Sequence, residues 1–194
     1  MARFWFVRHG ESVANAEGWL AGHRDVPLTA RGLDQARALA PSLRDLRPDR
    51  VVASDLQRAW QTGALAWHGA PPVSRVPELR ERHVGRWEGV PLSRLAEAGA
   101  MSVLTSWEGA PPDGESQEVL SLRVLGWLEA HEDRDTLIFA HGGVIRCVVG
   151  LLDREPTERI GYGKVGNTEL VARDVPAGTF GRLRRGVLAL AGRR

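Results

Sequence analysis

Three short runs, RFWFV (3–7), RVVAS (50–54) and TLIFA (136–140), most constrain what this chain folds into. Each is apolar without alternation. Successive side chains of a strand point to opposite faces, so a strand reads this way when both faces are covered. Helical patterns fill the intervals. Thr29 to Leu43 has Thr29 as a candidate N-cap and Leu33, Ala36, Leu39, Ala40 and Leu43 on one face; Leu56–Trp67, Ser116–His131 and Val144–Leu152 follow. A weaker strand is expected over VSRV (73–76). This alternation predicts an α/β fold, a three-layer α/β/α sandwich with a mostly parallel central sheet.

With 194 residues, 43% of them hydrophobic, the chain has enough material for one domain with its own core, expected over 1–194. Pro/Gly-rich turns at GAPPV (69–73) and GAPPDGES (109–116) bracket a stretch with little strand character, so an insertion or lid is expected at about 82–116. The C-terminal RLRRGVLALAGRR (182–194) reads as a solvated terminal segment rather than a basic anchor or nucleic-acid arm. A formal charge of +2, with arginines spread along the chain and Lys164 the only lysine, gives no basis for nucleic-acid binding. The single cysteine, Cys147, lies in apolar IRCVVGLL and is expected in the core. No run approaches the ~18 apolar residues of a membrane span, and Phe4–Val7 is short for a secretory signal. The expectation is a soluble, cytoplasmic protein without membrane association; its oligomeric state is left open.

In a parallel sheet the C-terminal ends of all strands share one edge, where ligands bind. The first strand exits through Arg8-His9-Gly10, the third through His141-Gly142-Gly143, and the second through Ser54-Asp55 into a helix with Arg58 on its first turn. Two histidines and two arginines thus converge from distant positions, and helix starts after each His-Gly favour an anion. The pattern suits a phosphate. A histidine after a strand also serves as a hydrogen-bonded structural residue. A metal held by His9, His141 and a carboxylate is the other chemical reading, and two neighbouring guanidiniums would repel the cation.

RHGESVAN, SDLQRAWQT, LRERHVGRWEG and AHGGVIR, in that order over about residues 3–150, resemble the histidine phosphatase superfamily, the phosphoglycerate mutase-like enzymes. The resemblance implies a metal-independent phosphomonoesterase that needs no cofactor. It implies that His9 is the nucleophile that becomes a phosphohistidine, that Arg8, Arg58 and His141 bind the phosphate and stabilise its transfer, and that Asn15 assists. Glu81 would give the proton to the leaving oxygen; taken by itself, a glutamate here reads as a solvated partner of Arg80 or Arg82. A nucleophilic His9 must be neutral, so its other ring nitrogen is expected to donate to a carbonyl within the His9-Gly10 turn. Glu11 is expected to order the first helical turn.

The superfamily holds phosphatases and mutases. ERH-x-G at 81–85 is similar to the mutases, with Val84 where they usually have tyrosine, and RWEG at 86–89 is similar to the phosphatases. Leu95 to Leu122 contains no lysine or arginine but has Glu97, Glu108, Asp113, Glu115 and Glu118, an acidic lid that would disfavour a bisphosphate. Trp19 and Trp107 are candidates for contact with an organic moiety or for local core packing, and Arg82, His83 and His23 for secondary anion contacts. The expected function is hydrolysis of small organic phosphate monoesters. Cofactor-dependent mutase activity and a non-catalytic phosphate-binding module are the alternatives.

Overall fold

Successive residues of β1 (Ala2–Arg8) divide between two cores: Phe4 and Phe6 pack on one side, Trp5 and Val7 on the other. β2 (Arg50–Ser54) and β4 (Thr136–Ala140) do the same, Val52 and Ile138 facing one core and Val51, Ala53, Leu137 and Phe139 the other. This two-sided burial is why the runs do not alternate in hydrophobicity. The computed structural model describes residues 1–192. β3 (Ser74–Val76) and β5 (Leu170–Val175) complete a five-stranded sheet in the order β3-β2-β4-β1-β5, parallel except for β5.

The helices are α1 (Val13–Glu17), α2 (Ala30–Leu43), α3 (Gln57–Ala66), α4 (Leu92–Glu97), α5 (Met101–Thr105), α6 (Gln117–Glu129), α7 (Gly142–Leu152), α8 (Thr157–Ile160) and α9 (Thr179–Ala191). α2 and α3 pack together beside the Trp5/Val7 core, whereas α6, α7 and α9 supply Leu125, Val144 and Phe180 to the other. Thr29 caps α2, its side chain accepting the Gly32 N–H at 3.0 Å, and Ser116 caps α6 in the same way through Val119. The result is the expected three-layer sandwich.

Two expectations change, and one open alternative is decided. The C-terminal segment is not a solvated tail: most of it forms α9, which buries Phe180 and Val187 against α6 and keeps its arginines outward, while residues 193–194 lie outside the described residues. Trp107 is buried among Leu120 and Leu79 in the core, so it plugs the fold rather than facing an organic moiety. Glu11 does not order α1, which Ser12 and Asn15 cap reciprocally; the Glu11 carboxylate accepts from Thr29 Oγ1 at 2.9 Å and pairs with Arg31 at the start of α2. Cys147 is a buried free thiol, as expected. Among the described residues no helix is long and apolar enough to cross a membrane.

Candidate active site

The sheet register brings the strand exits together. Arg8 pairs with Ala140 across β1 and β4, the His9 N–H donates to the Ala140 carbonyl at 3.0 Å, and the rings of His9 and His141 meet edge to face with centroids 5.2 Å apart. Beside them opens a cavity of about 550 Å³ whose lining includes Arg8, His9, Asn15, Arg58 and Glu81.

His9 is only 4% exposed, and its Nδ1 lies 2.7 Å from the Gly10 carbonyl. A carbonyl only accepts, so Nδ1 carries the hydrogen and Nε2 keeps its lone pair. This is the bond expected within the His9-Gly10 turn. Burial, and then the charge of Arg58, hold the imidazole's proton affinity well below the usual histidine range, so the ring is neutral near pH 7. The turn is fixed from behind. Gly10 N–H donates to Thr62 Oγ1, and a Cβ on Gly10 would stand 2.5 Å from the Gly32 carbonyl oxygen, so only glycine lets the turn approach α2.

His141 is fully buried and does not itself line the cavity. Its Nε2 lies 2.8 Å from Ser54 Oγ, which also accepts the Leu56 N–H at 3.3 Å. Directing the Ser54 hydroxyl hydrogen to Nε2 satisfies each of these groups and leaves His141 as the Nδ1–H tautomer. That Nδ1 is buried without a protein partner. Burial, followed by Arg58 and His9, keeps His141 neutral as well.

Arg58, 1% exposed, is oriented by donation from its two terminal nitrogens to the Arg24 and Gly22 carbonyls, at 3.0 and 2.8 Å. Arg8 donates to the Val165 carbonyl and has a buried Nε without a protein partner. Burial lowers the proton affinity of both guanidiniums, with Glu81 opposing it; among the described residues neither forms an ion pair, unlike Arg80, which grips Asp55 at 2.6 Å.

Glu81 is no solvated partner of Arg80 or Arg82. Its Oε2 accepts the Gly143 N–H at 3.0 Å, on the first turn of α7, and its Oε1 accepts the Arg82 N–H at 2.8 Å. A Cβ on Gly143 would stand 2.1 Å from Oε1, so this seat depends on glycine. Asn15 uses its Oδ1 to accept from Ser12 N–H and Asn167, leaving its NH₂ as the donor available at the cavity.

The structure therefore gathers His9, His141, Arg8, Arg58, Glu81 and Asn15 at one edge. It does not gather His23 and His83 with them: His23 Nε2 lies 2.8 Å from the Glu81 carbonyl, the two rings pack 4.8 Å apart, and neither lines the cavity. The acidic-lid expectation also fails. None of Glu97, Glu108, Asp113, Glu115 and Glu118 lines the cavity; Glu115 pairs with Arg123 at 2.8 Å and Asp113 with Arg86 at 2.6 Å. From the expected insertion at about 82–116, Arg82, Val84 and Leu92 reach the lining, and Trp19 joins them from the loop after α1. Sequence reasoning missed Ser54, Thr62 and Asn167 as supports, and Arg146 and Lys164 as lining cations. Ser54 carried a signal, being the last residue of an apolar strand. Thr62 and Arg146 lie about one turn beyond Arg58 and His141 on the same helices, whereas Asn167 and Lys164 are neighbours only in space.

The family model of the histidine phosphatase superfamily (branch 1) matches residues 4–184. The adenosylcobalamin/alpha-ribazole phosphatase of Salmonella typhimurium is 36% identical over 172 residues, covering 84% of this chain and 85% of that protein. The metal-independent phosphoserine phosphatase of Arabidopsis thaliana is 36% identical over 154 residues, 73% of this chain and 65% of that protein. Among solved structures, the mycobacterial glucosyl-3-phosphoglycerate phosphatase in complex with VO3 superposes with a TM-score of 0.80 at 30% identity, covering 89% of this chain and 92% of that one.

Proposed function

This chain belongs to the histidine phosphatase superfamily, and from that premise we infer that it hydrolyses small organic phosphate monoesters through a phosphohistidine on His9. The observation that carries the reading is the Nδ1–H of His9 on the Gly10 carbonyl, which presents a neutral Nε2 lone pair beside the buried guanidinium of Arg58 and the partly buried one of Arg8. Nε2 attacks phosphorus and the ester P–O bond breaks opposite to it. Arg8 and Arg58 take the charge of the transferring oxygens; the unpartnered Arg8 Nε and His141 Nδ1 supply further donors. Asn15 contributes its NH₂.

Glu81 delivers its proton to the departing alkoxide, giving a free alcohol, and as carboxylate then takes a proton from the water that attacks the phosphohistidine. Phosphate leaves and His9 is restored. The arginines supply the positive charge that a metal provides in other phosphatases, so no metal or other cofactor enters these steps. Phosphate release from a panel of monoesters, with and without EDTA, tests the reading. Release that resists the chelator and disappears in His9→Ala is expected; loss to EDTA that a divalent cation restores would contradict it.

A further inference from the structure

Glu81 lies in irregular backbone after the tight helical turn Pro77–Leu79, so no ladder of backbone bonds fixes it. Side chains do so instead. Arg123 stands midway along α6, whose Leu120, Val124, Leu125 and Leu128 are buried in the core. A guanidinium carries five N–H donors, and in Arg123 all of them are used. Nε and Nη2 grip the two Glu115 oxygens at 3.0 and 2.8 Å, Nη2 also donates to the Glu81 carbonyl at 3.2 Å, and Nη1 donates to the Glu78 and Arg80 carbonyls at 2.7 and 3.1 Å.

Glu115 closes the clamp from the other end of the segment. Its Oε2 accepts the His83 N–H at 3.0 Å, and its own N–H donates to the His83 carbonyl at 2.8 Å. His23, from the loop after α1, places Nε2 2.8 Å from the Glu81 carbonyl. A carbonyl only accepts, so Nε2 carries the hydrogen, and both lone pairs of that oxygen are occupied. The Glu81 carboxylate is meanwhile seated on the Gly143 N–H of α7, and α6 packs on α7. Two adjoining helices thus hold opposite ends of one residue, its carbonyl and its carboxylate.

We propose that Arg123, braced by Glu115, is a positioning residue that acts on turnover only through Glu81. Neither Arg123 nor Glu115 lines the cavity, so neither touches the substrate. The proposal rests on the phosphatase reading for what Glu81 does, and on the hydrogen bonds alone for where Glu81 stands. It gives Glu115, one of the acidic residues of the segment before α6, a place in the machinery as the brace of an arginine. A reacting group misplaced by about an ångström costs on the order of 10²-fold in rate.

Arg123→Gln removes the fork, and Glu115→Gln keeps the shape of the brace but removes its charge. In single-turnover phosphorylation each is expected to slow an alkyl phosphate by roughly 10–10²-fold and p-nitrophenyl phosphate much less. An unfolded fraction would lower both substrates alike, so the split reports position. In a Glu81→Gln background, Arg123→Gln is expected to add less than about twofold. One measurement needs no turnover: in proton–nitrogen correlation spectra the Gly143 amide proton is expected to shift upfield in Arg123→Gln, toward its place in Glu81→Ala. A Gly143 resonance unmoved in both variants, or an alkyl phosphate loss fully retained in the Glu81→Gln background, would overturn the positioning role. Equal losses for the two substrates in Arg123→Gln, where Glu81→Gln discriminates between them, would overturn it too. A shifted resonance with no wild-type turnover would support the placement of Glu81 by Arg123 and overturn the phosphatase reading alone.

Discussion

Ser54 Oγ lies 2.8 Å from His141 Nε2, so the end of β2 holds the imidazole that follows β4 and fixes its tautomer. Neither residue is solvent-exposed. Ser54→Ala leaves the buried Nε2 without its partner, at a cost of about 1–3 kcal/mol in folding stability, and frees the His141 ring to change tautomer. The expected outcome is a lower denaturation midpoint together with a roughly tenfold fall in kcat/KM. Coupling to His141→Gln in a double-mutant cycle separates the two effects: on activity, the double variant should be little worse than His141→Gln alone.

The seat of Glu81 on Gly143 gives a second expectation. Gly143→Ala puts a methyl group 2.1 Å from the present position of Glu81 Oε1, and the carboxylate must move. Hydrolysis of alkyl phosphates, whose leaving group needs a proton, should fall by roughly 10²–10⁴ in Glu81→Gln and substantially in Gly143→Ala. Phosphorylation by p-nitrophenyl phosphate should fall much less in both, since p-nitrophenolate leaves unprotonated. Equal losses for the two substrates in single-turnover phosphorylation would make Glu81 a positioning residue.

His9 and His141 are both held neutral by burial, which fixes the sign of the pH dependence. Unfolded histidines bind protons at about pH 6.5, whereas in the folded protein these two do so only well below that. Their contribution to stability is therefore fully present above about pH 6.5 and is lost as pH falls toward the folded values. The unfolding free energy should drop by about 1.4 kcal/mol per pH unit for each site over that window. Half-buried His23 is shifted by burial in the same direction and adds to the slope. Urea denaturation between pH 7.5 and 5.5 measures it. His141→Gln should flatten the slope; an unchanged slope would mean that His141 titrates normally.

The buried centre of the sandwich was legible because burial on both faces leaves an unbroken apolar run, and Thr29 and Ser116 announced their helices as caps. β5 was not, because it is an edge strand that pairs only with β1 and carries Arg173 and Asp174 in its middle and end. α9 was misread because its arginines suggested solvent, although Phe180, Leu183 and Val187 recur at helical spacing toward α6. At the site, residues leaving the strand ends could be collected by topology alone. The direction of a side chain in an irregular segment could not: Glu115 and Asp113 belong to the segment expected to cover the sheet edge, yet turn to Arg123 and Arg86. Arg146 stands a turn further along the helix that follows β4, and Lys164 reaches the cavity from the loop before β5, a strand the sequence did not announce.

A phosphoryl group taken up by His9 would sit on Nε2, the ring nitrogen left free by the bond to Gly10. Rapid mixing with substrate, followed by alkaline quench and peptide mass spectrometry, measures this directly. A phosphorylated peptide containing His9 is expected, labile to acid, formed and lost at rates compatible with turnover, and absent from His9→Ala, which should also lose essentially all activity. Steady turnover in the wild type with His9 unmodified at every time point, or near-normal activity in His9→Ala, would contradict it.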